Sequence, residues 1–148
     1  MAEQRIRAIA LCVFQHNGKI LVNRFHDPVA DQTFYRPIGG GIEFGETSRE
    51  AIVREVQEEL GLSMKDLRLL GTLESLFVYN GKPGHEIVQV YNARFEDAQV
   101  YEQSQIVGHE SDGSPFTASW QDASSFNDQS LLVPVGLQAL LKDAGILG

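Results

Sequence analysis

The chain has 148 residues, 43% hydrophobic and 22% charged, the balance of a globular protein large enough to bury a core. Its 20 acidic and 12 basic residues give a net charge of −8, which excludes a broad electrostatic footprint on nucleic acid. A nucleotide or a short RNA end stays open, because bound metal ions reverse the local sign.

No apolar run reaches the ~20 residues of a membrane span. The N-terminal stretch MAEQRIRAIALCVF lacks a signal-peptide cleavage pattern. The one cysteine, Cys12, allows no internal disulfide and falls in an apolar run that reads as a buried strand. The expectation is a cytoplasmic protein of one domain, residues 1–148. Arg5–Phe14 and Lys19–Phe25 read as two strands joined by the turn His16-Asn17-Gly18, since Asn-Gly is a strong hairpin signal. His26 to Tyr35 reads as a loop leading into the run Gly39-Gly40-Gly41, where glycines permit close approach of a ligand.

The stretch Gly40–Leu62, GGIEFGETSREAIVREVQEELGL, carries the chemistry. Thr47 followed by Glu50 fits a capping box, which starts a helix near Ser48, and Gly61 supplies a left-handed stop. With Ile52 at 0°, Val56, Leu60 and Val53 fall at about 40°, 80° and 100°, an apolar stripe. Glu55, Glu58 and Glu59 fall at roughly −60°, −120° and −20°, so three carboxylates share a face and Glu59 borders the stripe. Such neighbours repel, and burial of one adds a desolvation cost. A hard cation with oxygen ligands removes both penalties. Glu50 and Arg54 read as an exposed i,i+4 pair.

Downstream, Leu69–Tyr79 and Ile87–Phe95 read as strands around the turn Asn80–Gly84. Residues 101 to 117 are polar and take no assignment, Thr117–Trp120 reads as a short strand, and Leu131–Leu141 as a closing helix with Pro134 in its first turn. Strands interspersed with two helices predict an α/β protein with a mixed sheet between helices. His26, His85 and His109 have no zinc-like spacing and are read as non-ligands.

The intervals G-x5-E-x7-R-E-V-x-E-E-x-G-L, set by Gly40, Glu46, Arg54, Glu55, Glu58, Glu59 and Gly61, form the complete signature of the Nudix box. The chain resembles the Nudix (MutT-like) hydrolases over essentially its whole length. The resemblance implies an α/β/α sandwich with a mixed β-sheet. It also implies Mg²⁺-dependent hydrolysis of the diphosphate linkage in a nucleoside diphosphate joined to another moiety, with Mn²⁺ as a substitute. Substrates of this kind are dinucleoside polyphosphates, nucleotide sugars and nucleoside triphosphates. Glu55, Glu58 and Glu59 match the metal-binding and catalytic glutamates, Glu55 doubling as a candidate base. Gly39 matches the residue whose carbonyl binds metal. Gly40, Glu46, Arg54 and Gly61 match residues that brace the box.

A further glutamate often joins this set from a later loop, and Glu110 is favoured over Glu86, with Glu102 nearby. Arg24, at the end of a strand, is a candidate phosphate contact. Arg36 stands where many members carry an apolar residue. Tyr79, 17 residues past Leu62, fits a pattern of relatives that cleave diadenosine polyphosphates, and Arg24, Arg36 and Tyr79 form the candidate substrate-binding set. The expected partner is a small nucleotide, with no long nucleic acid and no membrane, and a homodimer is a candidate assembly. A non-catalytic nucleotide sensor on the same fold is the alternative, although sensing alone does not require the carboxylate trio.

Overall fold

The computed structural model describes residues 4–148. Residues 1–3, part of the stretch read for a leader, lie outside the described residues. The elements run β1 (Arg7–His16), β2 (Lys19–Asp27), β3 (Gln32–Gly41), α1 (Ser48–Leu60), β4 (Met64–Tyr79), β5 (Lys82–Phe95), β6 (Gln105–His109), β7 (Pro115–Gln121), β8 (Ser130–Leu132) and α2 (Leu137–Asp143). The strand order is β4-β5-β1-β3-β2-β7-β6, with β8 attached to β3. The β1–β5 and β3–β8 pairs are parallel and the others antiparallel, so the sheet is mixed.

Strand alternation divides the core into two layers. Ala10, Cys12, Phe14, Leu21 and Ile38 pack with Ala51, Ile52 and Val56 of α1. Ile9, Leu11, Val13, Ile20 and Val22 pack on the opposite face with Leu137 and Leu141 of α2. One helix therefore covers each face, giving the expected α/β/α sandwich. Cys12 is buried in the first layer, and burial pushes its thiol pKa up. No helix among the described residues is long and apolar enough to cross a membrane.

Three expectations need correction. The stretch read as a loop, His26 to Tyr35, finishes β2 and begins β3, leaving only a short turn. Pro37 and the three glycines lie within β3. This strand changes partners, pairing with β2 through Pro37 and with β1 from Ile38 onward, so the proline falls at the hand-over. Residues 101 to 117, left unassigned, hold β6 and the start of β7. The closing helix does not begin at Leu131. Ser130–Leu132 is a strand, Pro134 precedes the helix, and Gly136 at φ 93° lies outside helical geometry, so α2 starts at Leu137.

The β4–β5 hairpin is long, and one buried carboxylate ties its tip to the rest of the sheet. Asp27 Oδ1 accepts from the backbone N–H of Val29 (3.0 Å), Ala30 (3.3 Å) and Asn80 (3.2 Å). The β2–β3 turn and the hairpin tip carrying Tyr79 thus share one acceptor.

Candidate active site on helix α1

Local sequence sets both ends of α1 as expected. Thr47 Oγ1 accepts from the Glu50 N–H (3.1 Å) and Glu50 Oε1 accepts from the Thr47 N–H (3.0 Å), a complete capping box. Gly61 closes the helix at φ 67°, its N–H donating to the Gln57 carbonyl. Ser48 and Tyr91 hydroxyls, 2.6 Å apart, fasten the first turn to β5.

Two glycines allow this helix to approach the sheet. A Cβ on Gly40 would stand 2.7 Å from the Glu55 Cδ, so the Glu55 carboxylate lies directly against β3. A Cβ on Gly108 would stand 2.8 Å from the Glu59 carbonyl and 2.5 Å from Phe116, so β6 runs against the last turn of α1. Two residues beyond Gly108 the chain turns at Glu110, whose N–H donates to the Ser114 carbonyl (2.8 Å). That brings Glu110 within electrostatic range of Glu59.

Arg54 organises the box. Its guanidinium donates to Glu46 (2.6 Å), the Gly41 carbonyl (3.0 Å), Glu55 (3.0 Å) and Glu58 (3.2 Å). The expected Glu50–Arg54 pair is therefore absent: Glu50 is spent on the cap and Arg54 turns inward. Arg54 holds the Glu46 carboxyl below its usual range, and the glutamates raise the Arg54 pKa in return. Glu55 is 14% exposed and Glu58 is 58% exposed, so Glu55 is the inner carboxylate and Glu58 the outer one.

Glu59 is the strained member of the set. Its pKa is pushed up to about 8, first by burial, then by the Glu55 carboxyl within hydrogen-bond reach and by the negative charge of Glu55 and Glu110. Arg36 opposes this shift. Among the described residues, no three acidic or histidine side chains converge on one point. Arg54 draws Glu55 and Glu58 to itself. All the donors are carboxylate or carbonyl oxygens, the set that hard cations such as Mg²⁺ or Mn²⁺ take. A cation facing Glu55 and Glu59 would remove the repulsion that raises the Glu59 pKa.

The remaining candidates divide by location. Gly39 lies in β3 opposite Leu11, next to the Glu55 contact. Glu86 is held by Arg7 of β1 (3.6 Å) and Glu102 is exposed on a 3-10 turn; of the three, Glu110 is the one whose charge acts on Glu59. Arg36 in β3 pairs across to Asn23, on the face covered by α1. Arg24 pairs across to Tyr35 on the opposite face and is exposed. Tyr79 stands edge-on to Phe34 (5.8 Å), and Phe34 stacks on Phe25 (5.2 Å), a short aromatic row beyond Arg36. Gly108 and Phe25 were not singled out from the sequence. An isolated glycine within a strand is the signal that marks Gly108 as a point of close approach.

Comparison with known proteins agrees with this architecture. The NUDIX domain model matches residues 4–128. A Mycobacterium tuberculosis protein named "Putative mutator protein MutT4" is 39% identical over 70 residues, covering 43% of this chain and 28% of that protein. An RNA pyrophosphohydrolase of Sodalis glossinidius is 48% identical over 40 residues, covering 27% of this chain and 23% of that protein. The chain thus spans about a quarter of the length of these curated relatives. The crystal structure of a MutT NUDIX hydrolase from Burkholderia pseudomallei superposes with a TM-score of 0.64 at 22% identity, covering 94% of this chain and 98% of that one, a likeness of fold. With the box in place on α1 and the family model covering most of its length, the chain belongs to the Nudix family.

Proposed function

We propose that this chain is a divalent-metal-dependent pyrophosphohydrolase that cleaves the diphosphate linkage of small nucleotide derivatives. The observation that carries the reading is the Glu55–Glu59 pair. Two carboxyls stand within hydrogen-bond reach on a helix face packed against β3, with Glu110 adding a third negative charge. Such mutual repulsion costs stability in the absence of a cation, and a bound cation relieves it.

Glu55, Glu58, Glu59, Glu110 and the Gly39 carbonyl are the proposed metal ligands, with Mg²⁺ the natural ion and Mn²⁺ its substitute. When bound, such an ion neutralises charge on the diphosphate and acidifies the attacking water. The chain's own residues supply the rest. Arg54 fixes the box loop to the helix through Glu46 and Gly41. Gly40 lets Glu55 lie at the strand surface, where it is the candidate acceptor of the water proton. Small dinucleoside polyphosphates or nucleotide sugars suit a chain of net charge −8 better than long nucleic acid, and Tyr79 leans toward the former.

The test is hydrolysis of a diadenosine polyphosphate, ADP-ribose, a nucleoside triphosphate and a 5′-triphosphorylated RNA, with Mg²⁺ or Mn²⁺ and a metal-free control. Metal-dependent release of a phosphate-bearing product is expected. No turnover of any member would remove the hydrolase reading, and a clear kcat/KM preference for the RNA would overturn the substrate choice.

A further inference from the structure

We infer that Arg36 is the anion clamp of this site. Its guanidinium, mounted on Phe25 and without a hydrogen-bond or ion-pair partner among the described residues, takes a substrate phosphate lying beyond the carboxylate cluster. The inference rests on the hydrolase reading for the identity of the substrate, but the residue's chemistry is visible without it.

Arg36 is half-buried in the middle of β3. Its guanidinium carbon lies 5.5 Å from the Phe25 ring centroid, a cation–π distance. Its Nε is fully buried and has no hydrogen-bond partner, the one such side-chain atom among the described residues. Burial of an unpaired donor carries a desolvation cost. Other arginines of this chain avoid that cost: Arg54 spends its donors on Glu46, Gly41, Glu55 and Glu58, and Arg7 pairs with Glu86. Arg24 has an exposed position where water serves it.

The location gives this unspent donor set a use. Alternation along β3 puts Arg36 on the face of Ile38, which packs with α1, and of Gly40, which touches Glu55. Arg36 also favours the charged form of Glu59, yet no ion pair within 4.0 Å joins the two, so it is near the carboxylates without being consumed by them. A diphosphate entering this cluster meets negative charge from Glu55, Glu58, Glu59 and Glu110. A cation at the carboxylates compensates one end of it, and a planar fork of donors matches a phosphate at the other. The Phe25 ring lies 5.5 Å from the guanidinium carbon and holds the charge beside the cluster. The buried Asn23 sits directly across from Arg36, and the Phe25–Phe34 pair follows two rungs outward on the same face, toward Tyr79.

The test compares wild type with Arg36→Met, which keeps length without charge, and Arg36→Lys, which keeps charge without the fork. Calorimetry measures the affinity for inorganic pyrophosphate in Ca²⁺, steady-state kinetics measures KM and kcat on the substrate found in the panel, and melting with Mg²⁺ alone monitors the carboxylates. Arg36→Met should weaken pyrophosphate binding and raise KM by about tenfold or more. It should change kcat much less and leave the Mg²⁺ melting shift intact. Arg36→Lys should recover part of the affinity, and it carries the test if Arg36→Met does not fold.

Unchanged pyrophosphate affinity in a folded variant would overturn the assignment. If nucleotide affinity fell while pyrophosphate affinity held, Arg36 would be reading the base instead, and the phosphate role would be refuted. Loss of the Mg²⁺ shift would also refute it, by making Arg36 a support for the carboxylates. A wild type that binds pyrophosphate through Arg36 but cleaves nothing would sink the hydrolase reading alone.

Discussion

Gly40→Ala tests how the strand and the helix build the site together. The added methyl would stand 2.7 Å from the Glu55 Cδ and 2.8 Å from each carboxylate oxygen, where ordinary contact begins at 3.4 Å. The Glu55 carboxylate must then retreat by about 0.7 Å, which also stretches its 3.0 Å bond from Arg54. The backbone at Gly40 is not in the positive-φ region, and the obstructed atoms are the far end of a flexible side chain. Metal-free stability should therefore change by less than about 1 kcal/mol. Catalysis is far less tolerant, since a displacement approaching 1 Å at a reacting group costs on the order of 10²-fold. Single-turnover rates across a Mn²⁺ titration, with melting curves in the presence and absence of metal, give both quantities. The double variant Gly40→Ala/Glu55→Gln separates the route. If the methyl acts through Glu55, the double variant should be no slower than Glu55→Gln alone. Fully additive losses, or a Gly40→Ala protein with normal rate and normal metal response, would refute the reasoning.

Three other outcomes are expected. Glu55→Gln should lower the single-turnover rate by roughly 10²–10⁴-fold in a protein of normal circular dichroism, the usual worth of a positioned base. A near-wild-type rate at every metal level would remove Glu55 from the mechanism. Replacing Glu58 and Glu59 together by Gln should shrink the rise in melting temperature produced by Mg²⁺ or Mn²⁺, since a ligand bound only by the native state stabilises by mass action, and an unchanged rise would disqualify both as ligands. Glu59 has its pKa raised from 4.5 to about 8, so between these values the metal-free folded protein keeps a proton that the unfolded chain has lost. Metal-free stability should accordingly fall as pH climbs from about 4.5 to 8 and level off above, while apparent Mg²⁺ affinity rises over the same window as the competing proton leaves. Glu59→Gln should flatten its part of the stability slope, and a slope of the same size in that variant would exclude Glu59 as its source.

The parts of this protein that sequence made legible are those in which neighbours along the chain do the work. Thr47, Glu50 and Gly61 declare the helix ends by local hydrogen bonding, and helical periodicity places Glu59 beside the apolar stripe. Long-range decisions were hidden. Arg54 had an exposed partner at Glu50 by spacing alone, but Glu50 was already committed to the cap and four acceptors from the loop and helix lay within reach. The start of β3 read as a loop because nothing local reveals a strand that exchanges one partner for another. The preference for Glu110 over Glu86 came from the resemblance and a long loop. What brings Glu110 near Glu59, a glycine at 108 that lets β6 run against α1, depends on two elements about fifty residues apart in the chain.

The shared acceptor at Asp27 has a consequence for how such a protein diversifies. The carboxylate helix is anchored by Thr47, Gly61 and Tyr91, whereas the Asn80 N–H at the hairpin tip beside Tyr79 is held by Asp27, a side chain in another turn. These are separate attachments. A lengthened or shortened hairpin tip can be re-hung on Asp27, or cut loose by its loss, without disturbing a residue of the helix. On the proposed function, a change at the hairpin tip would alter what the site grips while the carboxylate helix kept its place.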